Sequence, residues 1–510
     1  MSKRTGIIDI GSNSIRLVIY ELHPGGYYKL IDDVSYSARL AQDFDNGNLN
    51  EVALKKAEKI LNLFKTLCRA NGVNDKEIIA VATAAIRNAK NKKAFVDYLC
   101  QSTGINIRII SGEEEAIYDY SAVYYSLDVS KGIVVDIGGA STEIVSFCNK
   151  EISSLASINE GSVSISHKFS LNEPVNASKE KKIEEYLNSI LNGLPWLRNN
   201  EDIPIIGLGG TIRALGKMHR KIKNYPLDIT HNYHMSGEDF EEIFSKLKKC
   251  GAEERIKIKG LPQKRADIIL GGLCILKSIF NYSMCNKIII SGQGLREGLL
   301  YEKLFDENSC GFTGIFSYSV DNTMNLYNIN HKHAHNVANL ALMLYDELSE
   351  LHGYGSEERK ILQAASLLHD SGIAVNYYDH PEHSAYIILN SRLCGLSHRE
   401  IVLAACVAAS HEKDKMSDSI FKQYKKILKH EDKVLIAILS VFLKIAESLD
   451  RSESGIIKQI CCKINSETVK LEASAEQNPE FELNYAKEYS DIFKQIFGKT
   501  LILNFKQITR

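Results

Sequence analysis

One short signature occurs twice in this chain. Ile7-Ile8-Asp9-Ile10-Gly11-Ser12-Asn13-Ser14 and Val134-Val135-Asp136-Ile137-Gly138-Gly139-Ala140-Ser141 both run from a β-branched stretch through an aspartate into glycine and small polar residues, 127 positions apart. Each leads into a second apolar stretch, Ile15–Leu22 and Glu143–Phe147. A period of this length is a whole domain, since solenoid units repeat every ~20–50 residues. Two related domains are therefore expected, with their corresponding turns brought together across a cleft. Over roughly the first 300 residues, short runs such as Ile78–Ala82 and Ile105–Ile110 alternate with helix-period segments such as Leu54–Ala70 and Lys93–Ser102. That alternation is the pattern of an α/β fold with buried strands.

The remainder of the 510 residues reads differently. From about His331 to Asp450 the periodicity is helical throughout, and nine of the fifteen histidines lie between His331 and His411. Beyond Gly455 the pattern returns to strands around a helix at Ser490–Phe497. Four domains are expected: α/β over 1–125 and 126–310, all-helical over 311–454, and a small α/β tail over 455–510. A net charge of −1 excludes a whole-surface grip on nucleic acid or acidic membranes, so any positive field must be local to a cleft. Apolar stretches such as Val434–Leu443 reach about ten residues, against the ~20 that span a bilayer. Met1 runs straight into a strand-like segment without a targeting pattern, and the eleven cysteines show no CxxC pair. The expectation is a cytoplasmic protein with reduced thiols, assembled as a homodimer.

An aspartate at a strand end, followed by glycine and small hydroxyl residues, suits phosphate. Small residues let backbone N–H groups approach phosphate oxygens, while the carboxylate holds a hydrated cation or orients water. Two more glycine loops, Gly207-Leu208-Gly209-Gly210-Thr211 and Ser291-Gly292-Gln293-Gly294, each lead into a helix whose N-terminal N–H groups favour an anion. Each loop alone is an ordinary turn; together, two of them in a duplicated frame, they indicate phosphate handling. Glu113-Glu114-Glu115 offers bases for a hydrolytic water. Acids after a serine cap also complement the helix dipole, and Ser111 with Glu114 fits a capping box, so the residues alone leave the three open.

These motifs resemble the phosphate loops of the actin/hexokinase/heat-shock ATPase superfamily. Within it, Asn13-Ser14, Ser141-Thr142-Glu143, Thr83-Ala84-Ala85-Ile86-Arg87, Ile110 to Ala116 and Leu295-Arg296-Glu297-Gly298 resemble the Ppx/GppA phosphatases, over about residues 5–305. Ala140 departs where that family usually has a third glycine, and its methyl would tighten the loop. The resemblance implies two duplicated actin-like (ribonuclease H-like) domains, with Glu115 activating water, Glu114 capping and Glu113 solvated. It implies that Asp136 and Glu143, with Asp9 as a further candidate, organise Mg2+, and that Arg87 clamps a substrate phosphate. Backbone groups of Gly11, Ser12, Asn13, Ser14, Gly138, Gly139, Ala140, Ser141, Thr142, Gly209, Gly210 and Thr211 would cradle phosphates. Arg265-Ala266-Asp267 and Arg296-Glu297 read as structural ion pairs beside the cleft. The implied substrate is inorganic polyphosphate, with guanosine pentaphosphate as the alternative. A sensor without turnover and a sugar kinase are the competing classes.

The order His333, His369-Asp370, His383, His411, Asp450 resembles the HD phosphohydrolase domain, which implies a second, divalent-metal site. The competing reading is a helical domain whose histidines are buried and hydrogen-bonded, with His331, His335 and His380 leaving the ligand choice open. Lys425, Lys426, Lys429 and Lys433 are candidates for contact with a long anion.

Overall fold

A computed structural model of the chain describes residues 2–201, 203–306, 312–412 and 415–508. These form two compact units, residues 1–224 with 229–315 and residues 225–228 with 316–510.

The first unit holds two sheets. Strands β1 (Lys3–Ile10), β2 (Ser14–Leu22), β3 (Tyr28–Ser37), β4 (Ile78–Ala82) and β5 (Ile107–Ile109) form one, in the order β3-β2-β1-β4-β5. Strands β6 (Lys131–Ile137), β7 (Thr142–Cys148), β8 (Glu151–Ile158), β9 (Ile205–Leu208), β10 (Tyr233–Ser236) and β11 (Lys287–Ile290) form the other, in the order β8-β7-β6-β9-β11-β10. The second sheet repeats the first and adds β10, antiparallel, at one edge. β1 is antiparallel to β2 and parallel to β4, and in the same way β6 is antiparallel to β7 and parallel to β9. Ile7, Ile8, Ile10, Ile133 and Val135 are completely buried, as strands covered on both faces require. The edge strands β3 and β8 carry Asp32, Asp33 and a serine-rich run in place of a clean apolar pattern, which is why periodicity passes over them.

Helix α1 (Gly112–Tyr124) is packed on two sides. Ala116, Tyr120 and Val123 join the core of the second sheet with Val145 and Phe147, while Tyr118 joins Ile7, Val18 and Leu299 of the first. Helix α2 (Gly209–Ile222) follows β9, and α3 (Leu295–Asp306) follows β11. A Cβ on Gly298 of α3 would lie 2.1 Å from the Tyr118 carbonyl oxygen, so only glycine permits this helix crossing.

The second unit contains α4 (Ile315–Leu326), α5 (His331–Glu347), α6 (Ser356–Leu368), α7 (His380–Asn390), α8 (His398–Ala409) and α9 (Asp432–Ser448). Helix α7 begins three residues before the expected His383, because Pro381 falls in the first turn, where a missing N–H costs nothing. The tail strands β12 (Ile457–Ile464), β13 (Thr468–Ala475) and β14 (Thr500–Gln507) form a three-stranded sheet. Phe497 stacks on Phe442 of α9, so the tail shares a compact unit with the helical region.

Candidate active site

The duplicated turns close in the same way. Gly11 N–H donates to the Ser14 carbonyl at 3.2 Å, and Gly138 N–H to the Ser141 carbonyl at 3.0 Å. They also touch: a Cβ on Gly139 would lie 2.9 Å from the Ser12 Cβ and 3.4 Å from the Asn13 nitrogen. Between them opens a cleft of about 780 Å³, counting its mouth, completed by Gly209-Gly210 at the start of α2 and Gly294 to Glu297 at the start of α3. Gly209 has φ +80, and a Cβ there would lie 2.2 Å from Asp136 Oδ1, so strain and collision both demand glycine.

Gly11, Ser12, Asn13, Ser14, Gly138, Gly139, Ser141, Gly209 and Gly210 line the cleft. Ala140, Thr142 and Thr211 do not. Thr142 turns its hydroxyl to the Glu160 carbonyl at 2.8 Å, and Thr211 is fully buried against Gly272. Ala140 is partly buried.

The three glutamates separate as their positions on α1 dictate. Ser111 and Glu114 close a reciprocal capping box, Glu113 is exposed, and Glu115 is turned into the cleft. Glu115 Oε2 accepts from Arg87 Nη1 at 2.7 Å, and Arg87 Nη2 lies 3.5 Å from Glu143 Oε1. Glu143, 2% exposed, also accepts from Ser157 Oγ at 2.9 Å. Arg87 is thus engaged by the two glutamates, and its guanidinium is not part of the cleft lining. Burial, then the charge of Glu143, raises the Glu115 carboxyl well above its ordinary range. Burial and Asp136 push Glu143 up to about 7. Asp9 and Asp136 open onto the cleft and are raised mainly by burial.

Strand register gives the duplication a chemical asymmetry. Asp9 stands opposite Arg16, whereas Asp136 stands opposite Glu143. Arg16 lines the cleft with Arg213, Arg265 and Arg296, and no motif of the sequence singled out Arg16 or Arg213. Arg296 pairs with Asp33 at 2.8 Å, not with Glu297, whose Oε2 accepts from Gly294 N–H. Arg265 does not pair with Asp267, which instead binds Arg39 at 2.9 Å. Its guanidinium lies over Gly210, within 2 Å of where a Cβ would stand, which corrects the reading of Arg265 as half of a structural pair. Burial, then neighbouring arginines, pushes Arg213 down to about 10 and Arg265 down to about 9. Crowded, partly desolvated guanidinium groups beside small-residue turns form a cationic side of the cleft suited to an anion.

The acidic side of the cleft offers oxygen donors alone, and Asp136 Oδ1 is buried without a hydrogen-bond partner. This set fits a hard divalent cation such as Mg2+, with Asp9 and Asp136 open to it and Glu143 reaching the site only through its neighbours.

The second unit gathers another cluster. His333, His369 and Asp370, and Asp370, His380 and His411, each bring ligand atoms within 4.8 Å of one another. His380, not His383, occupies the expected position; His383 is only partly buried and outside both groups, and His335 is exposed. Asp450 Oδ2 binds His333 Nδ1 at 2.8 Å. His369, His380 and His411 each place Nδ1 2.7–2.9 Å from a backbone carbonyl, of Ser366, Tyr377 and Ala408. That fixes Nδ1 as a donor and turns Nε2 of His369 and His380 toward Asp370 Oδ1, at 3.4 and 3.3 Å. Lys425, Lys426, Lys429 and Lys433 are exposed.

Glycine-rich turns and clustered arginines lining one cleft form a site suited to phosphate groups. Family comparison agrees: the model described as the Ppx/GppA phosphatase family matches residues 18–307, and the model for Ppx/GppA phosphatase domain III matches residues 315–493. The chain belongs to the Ppx/GppA phosphatase family, and its first unit has that family's two actin-like domains. Among solved structures, a Ppx/GppA family member from Aquifex aeolicus is 29% identical, with a TM-score of 0.53 over 60% of this chain and 99% of that one. An exopolyphosphatase from Cytophaga hutchinsonii is 24% identical, with a TM-score of 0.55 over 61% of this chain and 100% of that one, a likeness of fold. Among the described residues no helix is long and apolar enough to cross a membrane.

Proposed function

We propose that this phosphatase is an exopolyphosphatase, removing the terminal phosphate of inorganic polyphosphate as orthophosphate. The observation that carries the choice is the lining of the cleft. It presents four arginines and small polar turns, with Ile137 and Leu295 as its larger apolar side chains and no aromatic ring. A polyphosphate chain needs successive cationic donors and nothing else, whereas a guanine base favours a stacking or apolar platform.

Glu115 would take the proton of a water that attacks the terminal phosphorus in line. The bridging P–O bond breaks, and the electron pair leaves on the shortened chain. Arg87 orients Glu115, and turn N–H groups with Arg213 and Arg265 stabilise the charge gathering on the equatorial oxygens. Asp9 and Asp136 would hold a Mg2+ ion, which would supply positive charge to offset that on the phosphate oxygens. The test is orthophosphate release from long polyphosphate and from guanosine pentaphosphate, side by side. A higher kcat/KM on polyphosphate is expected; a preference for the nucleotide would move the assignment to pentaphosphate phosphohydrolase, and binding without turnover to a sensor.

A second site is favoured by the locked histidines. His380 and His411 bring their Nε2 atoms to 2.9 Å, each with its Nδ1 facing a backbone carbonyl, so Nε2 is the ring atom that each turns toward the cluster. Burial pushes the His411 imidazole down to about 3, which keeps it neutral. His333, His369, Asp370, His380 and His411 would hold a divalent ion, with Asp450 orienting His333. Metal analysis of the purified full chain should find bound transition metal that Asp370→Ala abolishes; equal metal content in both proteins would leave the cluster a packing feature.

A further inference from the structure

Two side chains that the reaction just described does not use join the two halves of the cleft. Arg39 Nη1 lies 2.9 Å from Asp267 Oδ2, with the two side chains 37% and 29% exposed. Each partner is anchored to a different half. On the side of the first sheet, the Ala38 and Arg39 N–H groups both donate to the Asn13 carbonyl, at 3.1 and 3.0 Å. Ala41 N–H donates to the Ser12 carbonyl at 3.0 Å. Ser12 and Asn13 line the cleft, so the backbone around Arg39 is bolted to the first phosphate turn. Arg39 itself is left-handed, with φ +50 and ψ +40, a conformation that a non-glycine residue holds only at a cost.

On the side of the second sheet, Asp267 follows two residues after Arg265, whose guanidinium covers Gly210 in the cleft. Burial, then neighbouring arginines, lowers Arg265, and the charges of Asp136 and Asp267 oppose them, so Asp267 is felt inside the cleft. The segment after Arg39 crosses a second time. Gln42 Nε2 lies 3.3 Å from His167 Nε2, on the helix Ser162–Lys168, whose first residue lines the cleft.

An ion pair this exposed adds little to stability. Its position matters more than its strength. Arg16, Arg213, Arg265 and Arg296 line the cleft, and a short anion held there ends among them. A long chain must continue past them over the edge, where Arg39 is already oriented by its backbone. Asp267 competes for it: the carboxylate neutralises Arg39 while no chain is present and repels a chain as it arrives.

We propose that Arg39 is a specificity-determining residue for chain length, exchanging Asp267 for a phosphate of a polyphosphate chain long enough to reach the edge of the cleft. Asp267 sets the threshold for that exchange. This rests on reading the cleft as a polyphosphate site. It adds a cation that no sequence motif singled out and that the cleft lining does not include.

The test is calorimetric binding of tripolyphosphate and of long-chain polyphosphate to the full-length protein. Glu115→Gln is the parent, because without the base the ligand is not consumed during the titration. Adding Arg39→Ala should lower affinity for the long chain relative to tripolyphosphate by about fivefold or more, the loss of one charge-assisted contact. Adding Asp267→Asn should instead raise that ratio, by about two- to fivefold. A bridge that merely ties the two halves together is lost in both variants alike, so the opposite signs separate the two roles. A ratio that falls in both variants, or that stays at the parent value in Arg39→Ala, overturns the proposal. Tm is read beside each titration, and a variant that does not fold is replaced by Arg39→Gln or Asp267→Ser with the same expectations. Binding as expected without orthophosphate release from the wild type would overturn the hydrolase reading and leave the chain-length role standing. Absence of binding to either ligand would overturn both.

Discussion

Glu115 and Glu143 share the guanidinium of Arg87, and each weakens the other's hold on it. Both carboxyls keep their protons above the ordinary carboxylate range, Glu143 up to about 7. A base that must first lose a proton gives a rate that rises with pH. The kcat/KM profile should therefore climb through the neutral range rather than level off near the ordinary glutamate value of 4.5. Arg87→Lys removes one arm of the fork and should move that limb to higher pH, measured at polyphosphate concentrations well below KM. Arg265→Ala should raise KM for polyphosphate by about 10–100-fold, the loss of one charge-assisted phosphate contact of about 1.5–3 kcal/mol. At this scale the turns were legible and the arginines were not. A glycine beside an aspartate at a strand end states its own local requirement. Arg16, Arg213 and Arg265 come from three separate elements, and only folding makes them neighbours. His380 and His383 sit three apart on one helix, so spacing could not choose between them; burial did.

Helix α1 is the element on which the site depends, and its first turn was readable as a capping box. Ser111→Ala removes the acceptor for Glu114 N–H and the reciprocal bond from Ser111 N–H weakens with it. The expected loss is about 1 kcal/mol by denaturant unfolding, with a larger relative fall in phosphate release because Glu115 sits in the next position. Gly298→Ala drives a methyl into the Tyr118 carbonyl and should cost more, about 2–4 kcal/mol, as overpacking does where backbone cannot give. The paired hairpins β1–β2 and β6–β7 were evident because both strand faces are buried and β-branched. The edge strands β3 and β8 were not, since an edge needs no apolar alternation. Helix α4, Ile315–Leu326, lies within the all-helical domain expected over 311–454 but ahead of His331, from which the helical periodicity was read.

For the molecule as a whole, the duplication sets the architecture of the first unit, down to matching strand order in both sheets. The tail was expected as a domain of its own and shares a compact unit with the helices, a grouping made by contacts such as Phe442 on Phe497 that no local pattern encodes. The buried carboxyls also give the whole molecule a pH signature when metal is removed. Glu143 binds its proton more tightly folded than unfolded, so its contribution to stability is complete below pH 4.5 and is lost as pH rises to about 7. In chelator, Tm should fall over that window, and Glu143→Gln should flatten the fall. The most direct test is steady-state orthophosphate release from long-chain polyphosphate with Mg2+, comparing wild type with Glu115→Gln. The cleft chemistry predicts robust release by the wild type and a loss of about 10²–10⁴-fold in the variant, with its Tm retained. Undiminished release by a folded Glu115→Gln protein would contradict it.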